Sequence, residues 1–503
     1  MKFILSLLSA AGILGPPHPT SPTMTELSFP SLTSDHPASI QFSAWLSAFN
    51  TADEETLVNY HSDSTFPSSV LDGDTDSLDR ELGLARMTGG FNIVEVESSS
   101  EPSSVVVILK EKTREQYARA VMVVDISKPS YPATKFDIHP IVTPIKFFPK
   151  DDLRRPQYEK ALAPLTTERR QAVLDGLSSV IRDQYINPKL GEEIIATLDT
   201  HFKNGDYEVF EENEKFAQRL TEDMHLSGND LHMRVAFLEP RPELNQDGVI
   251  HKPKSFVEEL RRMNFGFGSV SFDTDSIPGK KIATLPINGF VPSSPDFASD
   301  WQEIKAAIGK IVSSIADADA LLVDLRSNHG GSPDTVVFIL SYLLDDGPVH
   351  SLDMVDRSGS IEKSFSTLPA DQLPQGTERF GGQKPLFVLT TNETISGGED
   401  MAYGLQAFKR AIAIVGQGNE ATAGAANPIT KPRFVGDEVF GKEWWFVGVP
   451  NLKPVHAITG SNWEGVGVKS DVIAGKGKWE GVSDAKEVAR RLAIQVLEPQ
   501  KEL

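Results

Sequence analysis

Cysteine is absent from the 503 residues, which removes disulfide frameworks, thiolate nucleophiles and cysteine-bound zinc from consideration. The same absence leaves the redox compartment unreadable. An excess of positive charge is missing too. The 49 Lys and Arg stand against 70 Asp and Glu, and the formal charge of −21 disfavours an electrostatic surface for nucleic acid or anionic membrane. No nucleic-acid motif is present, and beyond the N-terminus no apolar run approaches the length of a membrane span. Internal repeats with a period of roughly 20–50 residues are also lacking. What remains is a globular composition too long for one ordinary core, so roughly two to four domains are expected.

Residues 1–15 carry one lysine and then an apolar stretch with small residues, as a secretory signal would. The stretch is short, and Pro16-Pro17 follows without a clean small-x-small cleavage site. A secreted or periplasmic location is the expectation; with Met24 as the true start, the location is cytoplasmic. Residues 16–37, rich in Pro, Ser and Thr, read as a disordered linker. Residues 38–150 then place Phe42, Trp45, Leu46 and Phe49 on one helical face and start a second helix at Asp53. Four alternating runs follow at 91–96, 105–110, 117–124 and 134–139. Helices followed by an antiparallel meander make a small α+β domain. Residues 165–237 are helical by periodicity and end in Ser227-Gly-Asn-Asp230, a turn into a strand that His232 opens. From 238 to 503, strands expected at 281–287, 320–325, 386–390 and 411–415 alternate with helices at 301–315, 334–344 and 397–408. The pattern implies a parallel or mixed sheet covered by helices. A last helix, capped by Ser483, closes the chain.

Chemistry is densest at Pro385-Leu-Phe-Val-Leu-Thr-Thr-Asn-Glu-Thr-Ile-Ser396-Gly-Gly-Glu399. A serine between a buried strand and a helix has its hydroxyl beside free N–H groups and the positive end of the helix dipole. Ser396 thus stands where a nucleophile would, although Ser396-Gly-Gly-Glu399 also fits a capping box, the reading that local sequence alone favours. A second strand, Ala320 to Leu325, runs into His329-Gly-Gly331, a turn whose backbone N–H groups can approach a ligand or simply make a tight connection. No Walker lysine accompanies it, which disfavours phosphate. His232 alone reads as structural.

Taken in order, four stretches resemble one family of serine peptidases, that of the tail-specific (C-terminal processing) proteases, tricorn protease and the interphotoreceptor retinoid-binding protein modules. They are Asp230-Leu-His232-Met-Arg-Val, Asp324-Leu-Arg-Ser-Asn-His-Gly-Gly331, Thr391-Asn-Glu-Thr-Ile-Ser396-Gly-Gly-Glu399 with Thr422-Ala-Gly-Ala425 behind it, and Asn462-Trp-Glu464-Gly-Val-Gly-Val468. Together they span roughly residues 165 to 495. The resemblance implies a crotonase-like αβ core with Ser396 as nucleophile. Its oxyanion is held by the N–H of Gly397 and by one from the Gly330-Gly331 turn. The general-base lysine of tail-specific proteases is replaced by Ala425, so that dyad is absent. The tricorn-like pattern instead falls on His232 as base and Glu464 as the carboxylate that orients it. No cofactor or metal is called for, and the implied partner is an unfolded or short polypeptide substrate. Homo-oligomerisation stays open.

Departures from the family pattern accompany the match. The roughly 45 residues between Phe237 and Lys281 leave too little room for an inserted peptide-binding PDZ domain. Leu231 stands where the tricorn subgroup carries an assisting serine, which would weaken activity. His329 and His456 are alternative bases, each reading more simply as a turn or surface residue. Residues 38–150 resemble, by topology alone, the small cone-shaped domains of the nuclear-transport-factor-like type. The competing expectation is a carrier of apolar small ligands, or a pseudoenzyme, on the same fold. The sequon Asn392-Glu-Thr394, four residues before Ser396, would obstruct the site if glycosylated.

Overall fold

A computed structural model describes residues 32, 35–62, 76–98, 101–239, 256–293, 298–345, 347–436 and 444–498. The signal segment expected at 1–15 and nearly all of the 16–37 linker lie outside these residues, as does 240–255. The chain divides into two compact units, one taking in the described residues up to 150 with 256–264, the other 151–239 with 265–498.

The first unit contains α1 (Pro37–Phe49), α2 (Glu54–Ser62), α3 (Asp76–Thr88) and an antiparallel meander, β1 (Phe91–Ser98), β2 (Ser104–Glu111), β3 (Tyr117–Val124) and β4 (Ala133–Ile141). Phe42, Trp45 and Phe49 recur at helical spacing, so α1 buries one aromatic stripe. Trp45 packs 4.6 Å from the Phe136 ring and Phe49 stacks 5.4 Å from Phe91, which fixes the helix on the sheet. His61 pairs through Nε2 with buried Glu81 at 2.6 Å, a core contact rather than a site.

The second unit opens with a helical bundle: α4 (Arg155–Ala161), α5 (Thr167–Gln184), α6 (Pro188–Lys203) and α7 (Asn213–Gly228). Thr166 caps α5 by accepting the Arg169 N–H, and Asn187 caps α6 with Pro188 at its first turn. Val173, Leu177, Ile181, Ile194, Leu198, Phe216 and Leu220 are buried as their spacing requires. Asn229 ends α7 in the left-handed conformation (φ 50°) and reverses the chain through 230–232 into β5 (Arg234–Phe237).

The remainder builds a six-stranded mixed sheet. Its elements in chain order begin with β6 (Ser271–Asp273), β7 (Ile282–Pro286), α8 (Ala298–Ser313), β8 (Ala320–Asp324) and α9 (Pro333–Leu343). A hairpin, β9 (His350–Val355) and β10 (Ile361–Ser366), precedes β11 (Leu386–Thr390), α10 (Gly397–Ala407) and β12 (Ala413–Gly416). Then come β13 (Arg433–Val435), β14 (Trp445–Gly448), β15 (Lys453–His456), β16 (Val472–Ile473) and α11 (Ala485–Leu497). The sheet order is β16-β12-β11-β8-β7-β6, parallel except for β6 at the edge. Every residue of β8 and β11 is buried, as expected of parallel strands covered on both faces. Val488, Ala489 and Ala493 of α11 pack on Leu322, Phe387, Leu389 and Val415. Each large apolar side chain so buried contributes about 1.5–3 kcal/mol.

Among the elements not legible as periodic runs are α3 and the hairpin β9–β10, most of whose second strand faces water. The cap of α11 is Asp484, whose side chain accepts the Lys486 N–H, and not Ser483; the carboxylate is the stronger acceptor one residue nearer the helix.

Because β8 and β11 are adjacent and parallel, the loops leaving their C-terminal ends lie side by side, where open α/β sheets form their crevice. Hydroxyls stitch the two loops together: Thr391 Oγ1 donates to Arg326 O at 2.9 Å and Thr394 Oγ1 to Leu325 O at 2.9 Å. On the other side, β14 pairs antiparallel with β5 from Gly448↔Arg234 to Trp445↔Phe237, so the strand following His232 is tied into the C-terminal half of the unit.

Candidate active site

Ser396 ends the loop after β11 and begins α10 with φ 56° and ψ −118°, a conformation that costs a residue with a side chain about 1–3 kcal/mol. Such strain marks a sharp strand-to-helix turn that displays its side chain at the end of the sheet. Glu399 holds the turn as its capping box requires, accepting the Ser396 N–H at 3.0 Å.

The Gly-Gly turn after β8 touches this elbow. A Cβ on Gly330 (φ +92°) would stand 2.7 Å from the Ser396 Cβ and 3.2 Å from the Gly397 N, so only glycine allows the approach. A Cβ on Gly331 (φ +129°) would lie 1.9 Å from Phe290 O, which excludes any other residue there. The Gly330 N–H is already used, donating to Asn328 Oδ1 at 2.8 Å. Those of Gly331 and Gly397 have no acceptor among the described residues. A Cβ on Gly397 would lie 3.0 Å from the Gly331 N, so the two open donors are close neighbours beside Ser396.

Glu399 does more than cap. Fully buried, its carboxyl also accepts from Thr422 Oγ1 at 2.5 Å, Gly424 N at 2.7 Å and Ala425 N at 2.9 Å. Burial still pushes its pKa up to about 7 against the pull of these donors. Ala425 is itself fully buried, with its carbonyl accepting the Trp463 Nε1–H at 3.2 Å. The same loop continues into Ala426 and Asn427, whose N–H groups donate to Glu464 Oε2 at 2.7 and 2.9 Å. Nucleophile elbow, loop 422–427 and Glu464 are therefore one hydrogen-bonded run.

His232 sits in the turn before β5, 7% exposed, with Nδ1 buried and without a hydrogen-bond partner among the described residues. Burial, then the charges of Arg234 and His225, push its pKa down to about 4, so the imidazole is neutral at pH 7. Its backbone N–H donates to Asp230 Oδ1 at 3.1 Å, and Asp230 Oδ2 accepts the Tyr185 hydroxyl at 3.1 Å. Asp230 is buried, and burial followed by the charge of Glu464 pushes its pKa up to about 7. Glu464, likewise raised by burial, thus lies within electrostatic reach of the His232 turn. No hydrogen bond joins His232, Ser396 and Glu464 to one another. Ser396, Gly397, Gly330 and Gly331 are in contact; Asp230, which accepts the His232 N–H and feels the charge of Glu464, links the other two.

The alternative bases separate. His329 follows Asn328 into the Gly-Gly turn, its N–H on Asn288 O at 3.2 Å. His456 is no surface residue: it is 1% exposed between Tyr403 and Phe408, ring centroids at 5.5 and 4.9 Å, against the later turns of α10. Asp230, Asn328 and Asp400 carry weight that the sequence reading did not assign. The only local signal was the place of the first two inside the quoted motifs.

Residues 281–472 match the model of peptidase family S41, and residues 159–263 match that of the N-terminal domain of peptidase S41 in eukaryotic IRBP. The chain carries a peptidase family S41 domain. Gly330, Gly331, Ser396, Gly397 and Glu464 all fall inside that S41 domain, and His232 inside the N-terminal match. The tail-specific protease of Haemophilus influenzae (strain ATCC 51907 / DSM 11121 / KW20 / Rd) is 26% identical over 143 residues, 28% of this chain and 18% of that protein. The aligned part thus spans under a fifth of that relative. Among solved structures, the photosystem II D1 C-terminal processing protease is 16% identical, covering 65% of this chain and 98% of its own, with a TM-score of 0.36. Tricorn protease is 12% identical, covering 81% of this chain and 42% of its own, also with a TM-score of 0.36.

Proposed function

We propose that the S41 domain is a serine peptidase acting through an acyl-enzyme on Ser396, with His232 as general base and Glu464 as its orienting acid. The contact between the strained Ser396 elbow and a turn offering an open N–H carries this reading, because nucleophile and oxyanion donors are then within reach of one carbonyl. Ser396 Oγ attacks the scissile carbonyl carbon while His232 takes the hydroxyl proton. The oxygen gathers negative charge between the N–H groups of Gly331 and Gly397. Collapse breaks the C–N bond, the proton passes from His232 to the leaving amine, and a water activated by His232 then hydrolyses the ester. Neutral His232 is the form this requires. In this reading the triad's hydrogen bonds close when substrate binds, since catalytic bonds are commonly loose in the free enzyme.

The substrate on this reading is an unfolded or short polypeptide, the strands and helices of 238–503 form a crotonase-like core, and 165–237 is a bundle that delivers His232 to it. Denatured casein is the test substrate. Ser396→Ala and His232→Ala should each abolish its cleavage while circular dichroism stays that of the wild type. Full turnover by purified Ser396→Ala would end the proposal.

A further inference from the structure

Asn328 is fully buried, and its polar atoms reach the chain after β7, the Gly-Gly turn and the residue before Ser396. Its Nδ2 donates to Ile287 O, just past the end of β7, at 2.8 Å. Its Oδ1 accepts the Gly330 N–H at 2.8 Å. Its backbone O accepts the Ile395 N–H at 3.2 Å, next to Ser396, and its own N–H returns to Leu325 O at 3.0 Å. The side chain also fills the space above the start of α10: a Cβ on Gly398 would meet Asn328 Oδ1 at 2.6 Å. The short planar amide supplies the donor and the acceptor that this site uses, which neither an aliphatic side chain nor an ionised Asp can do.

We propose that Asn328 is a positioning residue that selects the oxyanion donors: by holding the Gly330 N–H it rotates the turn so that Gly331, with Gly397, faces the developing oxyanion. This inference rests on the reading of Ser396 as nucleophile. Gly330 then serves as the spacer that lets the turn approach Ser396, and the turn contributes a single donor. Because that donor acts only on the charge formed in the transition state, losing Asn328 lowers kcat and leaves KM little changed.

A fluorophosphonate tests this on the full chain, since its phosphonyl oxygen on Ser396 occupies the oxyanion position. Asn328→Ala should be labelled to the wild-type stoichiometry about a hundredfold more slowly, the size of effect expected when reacting groups are misplaced by about 1 Å. Its kcat on fluorescein-labelled denatured casein should fall in parallel, with KM kept. Should the variant fail to fold, wild-type protein labelled with 15N-glycine gives the same answer by hydrogen exchange. The Gly330 amide should be protected before labelling, whereas Gly331 and Gly397 should gain protection only once Ser396 is phosphonylated. A folded Asn328→Ala labelled at the wild-type rate, or protection gained by Gly330 in place of Gly331, overturns the assignment of Asn328 and leaves the nucleophile standing. Absence of label from wild-type Ser396 overturns the nucleophile reading, and this inference with it.

Discussion

Asp400 lies one turn into α10 from Ser396, 3% exposed, with neither carboxyl oxygen bonded to any described group. Burial alone pushes its pKa up to about 7 from the ordinary 3.8 that it has in an unfolded chain. Between those values the folded state keeps a proton that the unfolded state has lost, so stability falls as pH rises through the window and is flat above about 7. From pH 5 to pH 8 the penalty accrues over two units (7 − 5), about 2–3 kcal/mol at about 1.4 kcal/mol per unit. Asp400→Asn keeps the shape and has no proton to lose. Urea denaturation of wild type and variant at the two pH values isolates this group, because every other titration is common to both proteins. At pH 5 the variant should already lead by about 1–2 kcal/mol (5 − 3.8 units at about 1.4 kcal/mol per unit), since a buried amide is as poorly satisfied as a protonated carboxyl and the unfolded wild type has already lost its proton. At pH 8 that lead should have grown by about 2–3 kcal/mol more. A stability difference that is the same at both pH values would refute the reasoning.

Other outcomes follow from the same geometry. His232→Ala should lower kcat/KM on denatured casein by about 10⁴-fold or more. With its pKa pushed down to about 4, His232 stays in its neutral, basic form well below pH 6.5. The acid limb of the kcat/KM profile of the wild type should therefore lie near pH 4; a limb near pH 6.5 would assign the base elsewhere. Gly330→Ala places a methyl 2.7 Å from the Ser396 Cβ in a left-handed conformation, so cleavage should be lost and thermal stability should fall by about 1–3 kcal/mol. An active, equally stable variant would mean that the turn and the elbow are not in contact.

Much of this was legible because it is local. Leu386 to Thr390 reads as a buried strand from its apolar run, and Gly330-Gly331 as a turn from composition. The missing lysine at Ala425 turned attention to His232, 164 residues before Ser396 (396 − 232). What was not legible is tertiary. The positive φ of Ser396 is a backbone state that no serine announces. Glu399 reads as half of a capping box, yet three of its four hydrogen bonds go to residues 422–425, far along the chain. The tie from Asp230 to Tyr185 crosses 45 residues, and no spacing rule foretells it. Asn328 sits inside a quoted motif, but which of two neighbouring N–H groups it silences is a matter of side-chain orientation.

The central claim is that Ser396 is an activated nucleophile. The most direct measurement is the intact mass of the full chain after incubation with a fluorophosphonate, followed by peptide mapping. The account predicts one phosphonyl adduct per chain, mapped to Ser396, absent from Ser396→Ala and from heat-unfolded protein. A folded wild-type chain that stays unlabelled, or an adduct mapped to another residue, would contradict it.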